Sequence, residues 1–200
     1  MIKDKEAQEY WSNRYKEERI GWDIGYPSTP LKEYIDQLTN KNITILIPGA
    51  GNAYEAMYLY DQGFKNIFIM DISIIPLENF HTKYPNFPKE NLLHQDFFEN
   101  NGQYDLILEQ TFFCSFIPTK ENRVGYAKKM KSLLNPKGKL VGLWFDIPLT
   151  GDMEKRPFGG TKALYLECFS PFFNSILMEK AYNSIPERAG QELFGILTNT

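Results

Sequence analysis

Residues 43–51 read Ile43-Thr44-Ile45-Leu46-Ile47-Pro48-Gly49-Ala50-Gly51, and Asp71 stands 20 residues after the second glycine, closing Asn66-Ile67-Phe68-Ile69-Met70. A short β-branched run that meets a glycine turn reads as a buried parallel strand handing the chain to a helix. The helix is signalled by Ala53, Ala56, Met57 and Tyr60 at i, i+3, i+4 and i+7. Glycine lets the turn approach a ligand closely, and the helix N-terminus offers free N–H groups at the positive end of its dipole. An acid at this distance from the glycines is placed to accept from a ribose diol. Plainer readings stand beside these: the glycines serve only the turn, and Asp71 caps the next helix.

The same alternation continues outward in both directions. Leu92 to Gln95 forms a short strand before Asp96, Tyr104 to Glu109 a fourth strand, and Lys139 to Asp146 a fifth. Helices are predicted over 73–84, 120–134 and 161–169, with a turn at Asn135-Pro136-Lys137-Gly138 and a looser stretch over 147–160. Two more strand candidates, near 172–182 and 191–197, have no clear helix between them and suggest an antiparallel hairpin at one edge. The pattern predicts an α/β fold with a doubly wound, mostly parallel sheet. It reads as one domain over 1–200, with helices over 1–40 and the core over 41–200. Ligands in such sheets bind outside the C-terminal ends of the strands, which directs attention to Pro48–Gly51, Asp71, Asp96 and Glu109. In Gln95-Asp96-Phe97-Phe98 an acid that accepts from an adenine amino group precedes a ring that packs on the base; the alternative is a helix cap with two core phenylalanines.

Composition removes several classes of function. The chain has 22 Lys+Arg against 25 Asp+Glu, a net charge of −3, so it lacks the basic field that nucleic acid requires. It shows no polybasic membrane-binding segment and no run near the roughly 20 apolar residues of a spanning helix. The start, MIKDKEAQEYW, has no apolar stretch of a secretory signal. Cys114 and Cys168 form no disulfide framework, and with only His81 and His94 no zinc cluster is available. The expectation is a cytoplasmic monomer without metal, acting on a small molecule. Cys114 reads as a small apolar core residue, and no chemistry is assigned to either histidine.

Several stretches in order carry a resemblance. They are Trp11 with Gly21-Trp22-Asp23, then Ile47 to Gly51, Met70-Asp71-Ile72-Ser73, Gln95 to Phe98, and Thr111-Phe112-Phe113-Cys114. Arg123-Val124-Gly125-Tyr126-Ala127 and Arg188-Ala189-Gly190-Gln191-Glu192 complete them. With these the chain resembles the thiopurine S-methyltransferase family, including its plant halide and thiol methyltransferase branch, within the class I enzymes that use S-adenosylmethionine. The resemblance implies a Rossmann-like sheet of seven strands with an antiparallel C-terminal strand and an N-terminal helical lid. It also implies that Trp11, Tyr15 and Trp22 close over the cofactor and that Gly49 and Gly51 line its methionine portion. Asp71 with Ile72 holds the ribose, and Asp96 with Phe97 holds the adenine. Glu109 and Gln110 stand beside the sulfonium and the acceptor. Aromatic lid faces suit a permanent cation, which they attract by about 0.5–2 kcal/mol.

The acceptor is read from what surrounds Gln110. Gln110 stands where better-known members carry arginine or tyrosine, so a cationic anchor for a carboxylated aromatic thiol is missing. Phe112, Phe113, Phe116 and Trp144 are expected to form a dry aromatic pocket, which suits a small soft nucleophile such as a thiol, hydrosulfide, thiocyanate or halide. Tyr15, Gln110, Phe112, Arg123 and Arg188 are the acceptor-side candidates. Two alternatives use the same adenosine features. One is an NAD-dependent oxidoreductase, which needs a Tyr-x-x-x-Lys pair; Tyr126 fits the first place but Met130 occupies the second. The other is a non-catalytic adenosine-binding protein.

Overall fold

The computed structural model describes residues 4–152 and 156–199. Residues 1–3 of the N-terminal segment, and 153–155 of the loose stretch, lie outside them. The chain runs α1 (Asp4–Lys16), α2 (Thr29–Asp36), β1 (Thr44–Pro48), α3 (Tyr54–Asp61), β2 (Asn66–Asp71), α4 (Ile74–Lys83), β3 (Leu92–His94) and β4 (Tyr104–Gln110). It continues through α5 (Lys120–Ser132), β5 (Leu134–Phe145), α6 (Lys162–Phe169), β6 (Ser175–Lys180) and β7 (Glu192–Thr198).

The seven strands form one sheet in the order β3-β2-β1-β4-β5-β7-β6. β1 to β5 pair in parallel, while β7 is antiparallel to both β5 and β6. The expected hairpin is therefore present, with β6 at the edge and β7 inside it. From β1 the chain first moves outward to β2 and β3, then returns to place β4 on the other side of β1. The switch point thus falls between the C-terminal ends of β1 and β4, the crevice where doubly wound sheets bind ligands.

Successive strand residues point to opposite faces, and both faces are covered. Leu46, Ile107, Leu140 and Trp144 pack beneath α5 and α6 with Tyr126, Met130, Tyr165 and Phe169. Ile45, Ile47, Leu106, Leu108 and Val141 pack on the other side with Leu31, Ile35, Ala56 and Leu59 of α2 and α3. The helix predicted from Ala53 and Ala56 is there, but Ala53 is its left-handed N-cap (φ 54°) and Leu59 carries the burial that Met57 and Tyr60 share only in part.

One sequence expectation is corrected here. Asn135 to Gly138 is not a turn between elements; β5 already begins at Leu134 and runs through it. The pairing with β4 shifts register between Tyr104 and Leu106, and Lys137 takes φ 64°, so Pro136 sits on a bulge. A proline tolerated at a bulge looks the same in sequence as one in a turn. Because Leu46 is fully buried in β1, an interior strand of the sheet, Leu46→Ala is expected to cost about 2–5 kcal/mol of stability by urea denaturation.

Candidate functional site

The end of β1 is bent by three residues in the left-handed region: Gly49 (φ 56°), Gly51 (φ 53°) and Ala53. Ala50 N–H donates to Met70 O at 3.0 Å, which ties the turn to β2. A side chain at Gly49 would lie 2.1 Å from the Phe112 ring, and one at Gly51 would lie 3.2 Å from the Tyr15 hydroxyl. Glycine is thus required twice over, by backbone conformation and by what presses on the turn.

Asp71, at the end of β2, is 6 % exposed. Its Oδ2 accepts from Gly51 N–H at 3.1 Å and its Oδ1 from Ser73 N–H at 2.8 Å. Burial pushes its carboxyl up to about 6, against the pull of these two donors. The side chain that caps α4 is Ser73, which accepts from Ile75 N–H, so Asp71 holds the glycine turn instead. Ile72 offers its carbonyl to His94 Nε2 at 3.1 Å. Asp96 caps the short 3-10 turn Phe97–Glu99 by accepting from Phe98 N–H at 2.6 Å. The Phe97 ring faces Phe98, Phe112, Phe116 and Tyr126.

The N-terminal helix lies across these strand ends. Ser12 Oγ donates to Ser73 Oγ at 3.0 Å, and Gln8 reaches His94. Trp22 packs T-shaped against Trp11 and Tyr15 at centroid distances of 5.4 and 5.7 Å. Burial and the negative charge of Asp71 push the Tyr15 phenol up. The loop after α1 is clasped by Asp23, which accepts from Gly25 N–H, the Asn52 amide and the Tyr54 hydroxyl. Between Trp22, the glycine turn, Glu55, Gln110 and Thr111 remains a cleft of about 40 Å³, room for two or three waters.

Adjacent residues at the end of β4 face opposite ways. Gln110 lines the cleft. Glu109 is fully buried on the other face, where its Oε1 accepts from Phe112 and Phe113 N–H at 2.8 and 2.9 Å and its Oε2 has no partner among the described residues. It clamps a turn in which Thr111, a β-branched residue, is held at φ 56°, a conformation such side chains rarely adopt.

The remaining acceptor-side candidates separate. Phe112 and Phe116 are partly buried and pack on Phe97, outside the lining of the cleft, whereas Phe113 and Trp144 are 4 % and 2 % exposed. Trp144 packs on Phe169 and over Gly195, so it is part of the core and not of the expected pocket. Arg123 lies under the strap that contains Gly159, donating to its carbonyl at 2.7 Å, with its guanidinium 5.3 Å from the Phe113 ring. Arg188 is 9 % exposed, donates to Trp22 O at 2.9 Å and pairs with Glu192 at 3.4 Å. Cys114 is buried, with its thiol pushed up by burial, in keeping with a core role. The sequence reading missed Glu55, 5 % exposed in the first turn of α3. Its only sequence signal is an acid at a helix start, which is commonplace. It also missed Arg156, whose guanidinium lies over Tyr10 and Trp11. No group of His, Cys, Asp or Glu fit to hold a metal occurs among the described residues.

The sheet order, the glycine turn at its switch point and the acid that ends β2 define a class I S-adenosylmethionine-dependent methyltransferase. A 1,6-didemethyltoxoflavin N1-methyltransferase from Burkholderia thailandensis shares the fold with a TM-score of 0.73 at 14% identity, covering 97% of this chain and 87% of that one. The description of the thiopurine S-methyltransferase family matches residues 6–196, and the chain belongs to that family. Its relatives include the probable thiol methyltransferase 2 of Arabidopsis thaliana, 30% identical over 68% of this chain and 62% of the relative. Thiocyanate methyltransferase 1 of the same plant is 27% identical over 92% of this chain and 82% of its own length.

Glu109 gives a testable pH dependence. Burial moves its carboxyl from 4.5 to about 7. The unfolded chain therefore ionises first, so the stability this group contributes is full below pH 4.5 and lost as pH rises to about 7. Glu109→Gln does not titrate. Its urea midpoint relative to wild type is expected to rise between pH 4.5 and 7, by up to about 3 kcal/mol in stability.

Proposed function

We propose that this protein moves a methyl group from S-adenosylmethionine to a small soft nucleophile, of which hydrosulfide, thiocyanate, iodide and small thiols are the leading examples. The observation that carries the acceptor class is the neutral Gln110 amide that the end of β4 presents to the cleft, whose described lining residues include no Lys, Arg or His. The names of the plant relatives, thiol and thiocyanate methyltransferase, support it. In this reading the chain acts as a single domain and a monomer in the cytoplasm, without nucleic acid or metal. No helix among the described residues is long and apolar enough to cross a membrane.

The residues present fit the cofactor. The Cα of Gly51 faces the Tyr15 hydroxyl and Trp22 Nε1 across a gap that any side chain would fill. Gly49 and Gly51 would take the methionine portion, Asp71 with Ile72 the ribose, and Asp96 with Phe97 the adenine. Trp11, Tyr15 and Trp22 would cover it. When bound, S-adenosylmethionine supplies an electrophilic methyl on a sulfonium. The work left to the chain is alignment and exclusion of water. Gln110 and the Phe112–Phe116 rings set the approach of the nucleophile, and an anionic nucleophile needs no base. The 40 Å³ cleft is far below the roughly 300 Å³ or more of a site for a ligand of this size, so α1 and the Trp22 loop must open to admit it.

S-adenosylhomocysteine is expected to raise the melting temperature and NAD to leave it unchanged. A shift with NAD alone would sink the methyltransferase reading. Asp71→Ala is expected to weaken S-adenosylhomocysteine binding by about tenfold to a hundredfold in calorimetry, the loss of a charge-assisted hydrogen bond. For the acceptor, kcat/KM for hydrosulfide and iodide is compared with that for a carboxylated aromatic thiol. A tenfold preference for the aromatic acid, about 1.4 kcal/mol, would overturn the proposed acceptor class.

A further inference from the structure

The cleft wall hides a cation. Arg188 stands behind Gln110, which lines the cleft together with Glu55. With its nitrogen turned to Glu55, the Gln110 amide donates to Glu55 Oε1 at 2.8 Å, and its oxygen accepts from Arg188 Nη1 at 3.2 Å. Glu55 Oε1 is itself fixed by Ser28 N–H at 2.9 Å. The other edge of Arg188 is held by Trp22 O, and its face lies 5.4 Å from the Phe145 ring. An amide held at both ends cannot flip without losing both hydrogen bonds. Its oxygen is therefore kept on the guanidinium and its body between the guanidinium and the cleft.

We infer that Glu55 is a positioning residue that sets acceptor specificity: it locks Gln110 as a screen over Arg188 and so denies a carboxylated acceptor the cation it would need. The inference rests on the acceptor side of the site lying at Gln110, as proposed above. The screen acts by charge. A free guanidinium in a partly buried cleft makes a bidentate pair with a carboxylate. A guanidinium bonded to an amide oxygen, a carbonyl and Glu192 has three of its five N–H donors committed and its charge compensated by Glu192, and the amide body stands between it and the cleft. Small soft nucleophiles do not need such an anchor, so the screen costs them little.

The test is binding of a carboxylated aromatic thiol, thiosalicylate, measured by calorimetry on the full-length protein without cofactor, which requires no turnover. Glu55→Ala unhooks the amide, and Gln110→Ala removes the screen while leaving the bond between Glu55 and Ser28. Both are expected to tighten thiosalicylate binding at least tenfold over wild type. Glu55→Gln keeps an acceptor at the same place and is expected to stay within about threefold of wild type. Should Glu55→Ala fail to fold, Gln110→Ala carries the test alone. Unchanged affinity in Gln110→Ala, or a gain in Glu55→Gln as large as in Glu55→Ala, overturns the inference. A failure of the wider reading shows separately, as a wild-type protein that neither binds S-adenosylhomocysteine nor methylates hydrosulfide.

Discussion

The hydrogen bond from Gly51 N–H to Asp71 joins the ends of the first two strands at 3.1 Å, and most of the site depends on it. It forces the glycine turn to close on β2 instead of spreading over the sheet edge. That closure aims the first turn of α3 at the switch point and brings Glu55 to the cleft wall. It also keeps a buried carboxylate behind the glycine turn at a real cost, since burial pushes its pKa up to about 6. A group held charged against such a cost is one whose removal changes more than a single contact.

How far the sequence discloses this differs from element to element. Strand order follows from β-branched runs alternating with helical periodicity, because a buried parallel strand and an amphipathic helix have unlike patterns. Asp71 is legible because its distance from the glycines is fixed by one strand–helix–strand unit. Trp144 is misread because a tryptophan near a strand end looks alike whether it faces the mouth or the core. The parity that decides it is set by the bulge at Asn135–Gly138, which the sequence disguises as a turn. Glu55 and Arg188 are illegible as a pair: they are linked only through Gln110, once the loop before β7 reaches the end of β4, and nothing local in either stretch announces the other.

Three separate parts of the chain are joined around Trp22. Arg188 reaches its carbonyl from the loop before β7, Asp23 beside it is held by Asn52 and Tyr54, and Trp11 and Tyr15 pack on its ring. A second tie between the same regions runs from Glu33 on α2 to Tyr182 and Asn183. The loop that covers the glycine turn is therefore anchored to the sheet's far strands as well as to its own helix. Arg188 is thus the contact that ties the Trp22 loop to the β6–β7 connection.

The placement of β7 has a consequence for how the chain reaches this state. An interior strand that follows both of its neighbours in the chain is the last piece of the sheet to be synthesised, and it pairs residues as distant as Leu140 and Leu197. Until it arrives, β5 offers an open apolar edge and β6 has no partner within the sheet. Long-range pairing of this kind is slow to nucleate, so nascent protein spends its most vulnerable interval with the parallel half assembled and that edge exposed. Arg188 and Glu192 arrive with the same hairpin. The tie from Arg188 to Trp22 is therefore absent until this hairpin docks, and a chain stalled before it would hold the loop after α1 by Asp23 and the ring contacts of Trp11 and Tyr15 alone.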